Sequence, residues 1–501
     1  MTTFLTPARL IPFARALSSL AALAGCASVA PVPDAVVALA HASAPAQWYS
    51  PLPHGGESTA LTRWWQQFDD PVLVRLIDAA QAVSPTVASA ASRIEQSRAT
   101  VVSAGAALAP TLDAAATALH GRPDFVTGVA STASVGVQAA WELDLFSARR
   151  HAASAAQARL TGTQALWHDA RVAVAAEVAT RYAELRSCEA QIEQARVDAA
   201  SRVETSRLTA LNLRAGFEAP ANAALARASA AQGNSLLTQR RAQCEVQVKG
   251  LVTLTGLDEP ALRVALSART AQPLQLAAAA QPASIGVPAQ LLAQRADLLS
   301  AERELVAAAA DVSTAQAQRY PRIALTGALS AAHAQSGLGS ATGALWTLGP
   351  LTVALPLFDG GVRRANVDAA AARYREATAL YQARLRSAVR EVEEALVALQ
   401  SSADRNTDAL LASEGFAASF RATEARRRGG LASLFELEDA RRQASAAQVA
   451  LIDLQRERTT AWIALYRGLG GGWSAADLSV ISDASTLRDP SPLNAAASTR
   501  P

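Results

Sequence analysis

Two long stretches of this chain lack the residues that break helices. From Ser147 to Leu213 there is no proline and one glycine, Gly162, in 67 residues. From Val362 to Arg428 there is again no proline, and the only glycine is Gly415. At about 1.5 Å rise per residue, each stretch predicts a rod roughly 100 Å long. Globular helices usually run roughly 8–20 residues. An excess of one charge is missing too: 46 basic and 43 acidic side chains leave a net charge of +3, which gives a polyanion nothing to hold and excludes nucleic acid as a partner. Aromatic residues are 5% of a chain that is 50% apolar, so alanine supplies much of the apolar surface. Small side chains let helices approach closely at little burial energy each. Beyond the first residues no apolar run reaches the length of a membrane-spanning helix. The histidines His41, His54, His120, His151, His168 and His333 show no metal-ligand spacing. No nucleophile elbow is present, so a surface hydrolase has no support, and neither a cofactor nor a metal is expected. Gly468–Gly472 follows a helical pattern and precedes none, which reads as a helix stop rather than a phosphate loop.

The N-terminal pattern is that of an exported chain. Arg9 and Arg15 precede the short apolar stretch Ala16–Gly25, too short to span a bilayer, so residues 1–25 are expected to be a signal segment. Leu23-Ala24-Gly25-Cys26 resembles a bacterial lipobox, which would leave Cys26 with an S-diacylglycerol and an N-acyl group as a membrane anchor. Residues 26–60 read as a lipidated linker, and residues 474–501 as a disordered tail.

Helical periodicity starts after Trp64-Trp65-Gln66-Gln67-Phe68-Asp69-Asp70-Pro71. A second helix begins at Ser84-Pro85, serine as cap and proline in the first turn, and stops at Pro110. The period then changes from 3.6 to 2. Val135, Val137, Ala139, Trp141, Leu143 and Leu145 point one way, and Gly136, Gln138, Ala140, Glu142 and Asp144 the other. This is the length and pattern of a tilted transmembrane strand. Thr111–Leu119 is its expected partner in a hairpin over 111–145, with Gly121–Ser134 as the connection. The first rod, 147–213, carries a heptad seam at Val178, Leu185, Ile192 and Ala199. It ends at Gly216, and a return helix spans 220–254. Residues from there to Pro288 read as irregular.

The second half replays the first, so that residues 61–288 and 289–473 are two repeats. A helix from Ala289 to Tyr320 stops at Pro321. A hairpin over 322–357 comes next, with Leu351, Val353, Leu355 and Leu357 alternating and Ser336–Gly343 as its connection. Then come the rod 362–428, with a seam at Val389, Leu396, Ala403, Leu410 and Ala417, and a return helix over 433–467. Ser433-Leu434-Phe435-Glu436 has the form of a capping box. Cys188 and Cys244 stand equally far from Gly216, at similar heights in an antiparallel hairpin. A disulfide is expected there in an oxidising compartment, with two buried thiols as the alternative.

Four strands cannot close a barrel, and an open sheet facing lipid would leave edges the bilayer cannot satisfy. A multiple of the chain is therefore required. Three copies give twelve strands and twelve helical columns, although two or four copies would close as well. Trp64-Trp65 through Pro71, Pro350–Gly361 with Arg363-Arg364-Ala365-Asn366, and Ala464–Trp473 together resemble the TolC-type outer-membrane efflux channels, and the lipobox places the resemblance in the OprM/NodT-like lipoprotein branch. The resemblance implies a membrane α+β fold, in which a homotrimer forms a twelve-stranded transmembrane β-barrel in the outer membrane, four strands per chain, continued by a long periplasmic α-helical barrel. It implies a passive exit duct for small molecules, served by a periplasmic adaptor and an inner-membrane pump of the resistance-nodulation-division class. A duct for type I protein secretion is the alternative, and a lipid-anchored periplasmic coiled coil a more distant one. Carried onto this chain, the resemblance makes Arg214, Gly216, Phe217, Arg428, Gly430 and Leu431 the adaptor-docking tip, and Arg421, Glu424 and Arg427 candidates to ring the aperture.

Overall fold

The computed structural model describes residues 64–472 except 67, 123–127, 269–272, 274–293 and 338. The expected signal segment 1–25, the linker 26–60 with Cys26, and the tail 474–501 lie outside the described residues. The described elements run α1 (Pro71–Val83), α2 (Pro85–Ala106), β1 (Thr111–Gly121), β2 (Ala130–Leu143), α3 (Ala148–Arg214), α4 (Pro220–Thr255), α5 (Glu259–Ser267), α6 (Ala296–Ala317), β3 (Arg322–Ser336), β4 (Gly339–Ala354), α7 (Val362–Arg428) and α8 (Leu434–Gly468). The rods α3 and α7 each have 67 residues. The chain divides into two compact units.

The first unit holds residues 93–163 and 300–382 of the described chain. Its four strands form one antiparallel sheet in the order β1-β2-β3-β4, so the two hairpins join through β2 and β3. Gly136 sits where β2 meets β3, and a Cβ there would stand 2.5 Å from the Leu329 carbonyl oxygen. Both α2 and α6 stop three residues short of their prolines and close with tightened bonds, Ala109 N to Ala106 O and Tyr320 N to Ala317 O, each at 3.0–3.1 Å. The residue before proline is driven out of the helical region, which sets the stop. The start of α3 packs on α6 through Ala155 and Ala158 against Ala307 and Ala310. Arg159 ties the same helices, at 3.1 Å from Glu304 and 2.7 Å from Asp311.

The second unit holds the described parts of residues 43–92, 164–299 and 383–501. Its core holds a cluster of aromatic rings. Trp64 lies 5.9 Å from Trp462 and 5.6 Å from Tyr466, and Trp65 lies 4.7 Å from Tyr466, ring centre to ring centre. The first and last motifs of the described chain are therefore packed on each other. Burial pushes the Tyr466 phenol up to about 12, and its hydroxyl donates to the Gly471 carbonyl at 2.9 Å. Asp70 caps α1 by accepting from Val72 N at 3.0 Å, and it also accepts from the Tyr182 hydroxyl at 2.7 Å. Arg186 donates to that same hydroxyl at 2.9 Å and to the Leu266 carbonyl at 3.0 Å. This chain of bonds fixes α1, α3 and α5 to one another and gives the buried Asp70, Tyr182 and Arg186 their partners.

Several expectations are corrected. Residues 259–267, read as irregular, form α5: Pro260 lies in its first turn, and Leu262 and Leu266, one turn apart, are buried. The helix expected from Ala289 begins at Ala296 among the described residues. Ala130–Ser134 and Gly339–Gly343, read as connections, are paired strand. Their small polar residues pair as well as apolar ones but leave no two-residue hydrophobic pattern. Leu145, Leu355 and Leu357 lie beyond the strand ends. In the second rod the buried line runs Leu385, Ala388, Val392, Ala395, Leu399, Ser402, at alternating three- and four-residue steps. Of the expected seam only Leu396 is buried, because that seam follows the edge of the stripe rather than its centre.

Candidate functional site

The sheet presents two chemically different faces. In-register rows place Leu112, Ala139, Gly327 and Leu348 on one face, followed by Ala114, Val137, Leu329 and Trp346, and then Ala116, Val135, Ala331 and Ala344. Trp141, Leu325 and Leu351 continue that face at its base, as do Leu143, Ile323 and Val353. It is apolar until the row of Ala133, His333 and Thr342, where His333 Nδ1 lies 2.7 Å from the Thr342 hydroxyl. The opposite face carries Asp113, Thr117, Ser134, Gln138, Glu142, Ser330, Thr326 and Thr347 among mostly small residues, with Leu119 and Leu345 the two large apolar side chains on it. Thr117 and Ser134 are bonded across it at 2.7 Å. Val135, Leu329, Trp346, Leu348 and Leu351 are all exposed in the single chain, so the apolar face is unburied. β1 and β4 are the sheet's two edges.

Trp346 and Leu348 escaped sequence reading for a specific reason. On β4 the outward residues are odd-numbered at Leu351 and Val353 but even-numbered at Trp346 and Leu348. The register shift opposite Leu325–Gly327 inserts one extra residue at Gly349-Pro350, and this bulge absorbs the change of parity. At the base of the sheet, Arg149 pairs with Glu142 at 2.8 Å and donates to the Ala107 carbonyl at 3.0 Å, and Trp141 Nε1 donates to the Leu108 carbonyl at 3.1 Å.

The second candidate region is the pair of helix turns. Gly216 has φ +78° and Gly430 has φ +75°, the left-handed conformation that glycine adopts without strain. Gly216 N donates to Leu213 O at 3.0 Å and Phe217 N to Asn212 O at 2.8 Å. Gly430 N donates to Arg427 O at 3.1 Å and Leu431 N to Arg426 O at 2.8 Å. Both turns are thus the same Schellman motif, and each throws out an apolar side chain: Phe217 is 85% exposed and Leu431 73%. The expected capping box is formed, with Ser433 Oγ accepting from Glu436 N at 3.1 Å and Glu436 accepting from Ser433 N at 3.0 Å. At the first turn Ala219 holds the cap position and offers no side-chain bond.

The turns touch through a residue the sequence did not single out. Glu218 accepts from Asn222 Nδ2 at 2.6 Å and pairs with Arg427 of the other turn. The Asn222 amide and the Arg427 guanidinium hold the Glu218 carboxyl below its ordinary value. Glu424 pairs with Arg428 at 3.0 Å, and Arg421 and Arg214 are exposed. Arg421, Glu424 and Arg427, expected as one ring, are therefore divided within the chain: Arg427 turns to Glu218 and Glu424 to Arg428. Deeper in, Ala226, Leu434, Leu437 and Phe420 form an apolar seat. Arg441 lies with its guanidinium 5.5 Å from the Phe420 ring, donates to Ser201 at 3.0 Å and Thr205 at 2.9 Å, and pairs with Glu438. Glu438 accepts from Ser229 at 2.6 Å, and Ser229 accepts from Arg202 at 2.9 Å. This buried chain of bonds crosses from α8 to α3 and α4.

Cys188 and Cys244 are joined in a disulfide, with Cα atoms 5.7 Å apart. Cys26 lies outside the described residues. Among the described residues no three His, Cys, Asp or Glu side chains come together as a metal site, and no helix is long and apolar enough to cross a membrane.

Comparison with known proteins agrees with this geometry. A family model described as outer membrane efflux protein matches residues 76–257 and 287–471, one segment in each repeat. The solvent efflux pump outer membrane protein SrpC of Pseudomonas putida is 30% identical over 447 residues, covering 86% of this chain and 93% of that protein. The outer membrane protein OprJ of Pseudomonas aeruginosa is 31% identical over 419 residues, covering 82% and 86%. The crystal structure of the outer membrane protein VceC of Vibrio cholerae superposes with a TM-score of 0.71 at 26% identity, covering 82% of this chain and 99% of that one. An amphipathic four-stranded sheet, two proline-free rods and matches along most of both repeats lead to one assignment: the chain belongs to the outer membrane efflux protein family and is the outer-membrane exit component of an efflux system.

Proposed function

We propose that three copies of this chain form one passive exit duct. The observation that carries the proposal is the open sheet: four strands, one apolar face, and two edges with no partner strand among the described residues. An open edge in hydrocarbon leaves backbone donors and acceptors unsatisfied, at several kcal/mol each by order of magnitude. Pairing β4 of one copy with β1 of the next removes both edges and closes twelve strands. The apolar face is the right height. From Leu143 to Val135 is about 27 Å along the strand at ~3.4 Å per residue, or about 21 Å when the strand is tilted by about 40°, close to the ~25 Å lipid-facing band of such barrels. The opposite face, mostly small and polar apart from Leu119 and Leu345, then lines water.

Helices α3, α4, α7 and α8 continue the duct into the periplasm, and the two turns receive a periplasmic adaptor that couples the duct to an inner-membrane pump of the resistance-nodulation-division class. Phe217 and Leu431 offer apolar contacts, and Arg214 and Arg428 offer charge. Cys26, lipidated, adds a second hold on the membrane. The cargo is small toxic organic molecules, a class supported by the solvent-pump relative. No step is catalysed, since the duct supplies a path and the pump the energy.

The test is the mass of the detergent-extracted protein by light scattering with the detergent subtracted. Three copies are expected. A stable monomer overturns edge closure altogether, and two or four copies overturn the trimer while keeping closure.

A further inference from the structure

The two helical hairpins repeat each other in backbone but not in covalent chemistry. Cys188 of α3 and Cys244 of α4 are bonded, and the bond closes a loop with a sequence separation of 56 that contains the whole first turn. Counting from the turn glycines Gly216 and Gly430, the corresponding positions of the second hairpin are Ser402 and Arg458. Ser402 is fully buried and donates its hydroxyl proton to the Leu399 carbonyl at 2.8 Å. The second hairpin is held across its helices by Ser413 Oγ donating to Gln448 at 2.7 Å and by Arg405 paired with Glu457 at 2.5 Å. Those contacts exchange with water; a covalent bond does not.

The bond also sits where it controls packing. Cys244 is buried in the apolar cluster of Val248 and Leu251, and Cys188 and Ile192 pack against that cluster from α3. Nearer the turn the buried α4 residues Ala223, Ala226, Ser229, Ala230 and Gly233 are all small, and Gly233 lies so close to α3 that a Cβ would stand 3.3 Å from Ala199 Cα. Small residues permit close approach but bury little area, so they hold the helices together weakly. A cross-link closing this loop removes much of the freedom that weak packing leaves.

We propose that Cys188–Cys244 is a redox-sensitive clamp on the first hairpin. Oxidised, it holds α3 against α4. Reduced, it frees the first hairpin to open locally while the second hairpin is untouched. The reducing step takes two electrons and two protons from a small dithiol, which leaves as its own disulfide. The S–S bond becomes two thiols, and no other group changes. A bacterial periplasm is oxidising, so the clamped form is the resting one.

The experiment uses the full chain, purified in detergent, with and without dithiothreitol. Deuterium uptake is followed in peptides from 188–244 and from 402–458. Reduction is expected to speed uptake in the first set by about tenfold or more, as local opening becomes easier, and to leave the second set unchanged. The double variant Cys188→Ser/Cys244→Ser is expected to match the reduced protein and to ignore dithiothreitol. If that variant fails to fold, reduction of the folded wild type still decides the matter. Alkylation of Cys188 or Cys244 by iodoacetamide before reduction, located by peptide mass, overturns the proposal. So does a bond that survives dithiothreitol without denaturant, uptake that stays unchanged in 188–244, or uptake that rises equally in both sets.

Discussion

The two hairpins meet the same geometric demand with different chemistry. Each rod must reverse within a few residues, and in both the reversal is a glycine in the left-handed region, closed by the same pair of backbone bonds. Beyond the glycine the two part ways. The first return helix opens on Pro220 behind an uncapped Ala219, and the second opens on a full capping box. Both carry polar contacts across their helices, and the first adds a disulfide. The first turn exposes Phe217 and, less fully, Leu211, whereas the second exposes Leu431 and Phe435 beside a run of arginines. Backbone conformation is thus the invariant of the repeat, and the side chains around it are where two docking surfaces diverge.

If the hairpins act as one body, the largest effect should come from cutting what joins them. Arg441 is 3% exposed and reaches Ser201 and Thr205 on α3 while pairing with Glu438. Arg441→Ala leaves Glu438 only the longer ion pair with Arg202 at 3.6 Å and strips Ser201 and Thr205 of their donor, a loss of about 2 kcal/mol. Thermal unfolding in detergent should show a clearly lowered midpoint, with faster deuterium uptake in both hairpins. Faster uptake in α8 alone would mean that the hairpins are independent. A smaller effect sharpens the shared-backbone idea. Gly216→Ala and Gly430→Ala meet open space, so each costs only the left-handed conformation of a non-glycine residue, about 1 kcal/mol. The two losses should be equal within error. A clear inequality would show that the turns are not equivalent.

The rods were readable because a helix of 67 residues requires breakers to be absent, and absence is visible in a sequence. The hairpin of β1 and β2 was readable where Val135 to Leu143 alternate with polar residues. Its far end was not, because Ser131, Thr132 and Ser134 carry no alternation yet pair with both neighbours. The upper half of β4 was hidden by the bulge at Gly349-Pro350, which changes the parity of the apolar residues. The seam of α7 was misplaced because alanine and leucine stand both at its centre and along its edge. At the turns, glycine placed the reversal correctly. The Glu218–Arg427 pair spans 209 residues, and no local pattern encodes a contact at that distance in the chain.

That pair also supplies the smallest and most specific test of how the turns are joined. Glu218 is held below its ordinary carboxyl value by Asn222 and Arg427. A carboxylate whose value is depressed on folding adds stability that is fully present above its unfolded value, about 4.3 for glutamate, and that is lost as pH falls through the folded value. Because the pair is near the surface, the contribution is below about 1 kcal/mol. The useful quantity is the difference in thermal midpoint between wild type and Glu218→Gln, which cancels every other titrating group. It should be positive at neutral pH, persist unchanged to about pH 5, and fade below about pH 4 as Glu218 takes up a proton. The same difference measured in the Arg427→Gln background should be smaller at every pH, since Asn222 alone then holds the carboxylate. A difference that grows as pH falls, or one indifferent to Arg427, would mean that the two turns are neighbours without being coupled.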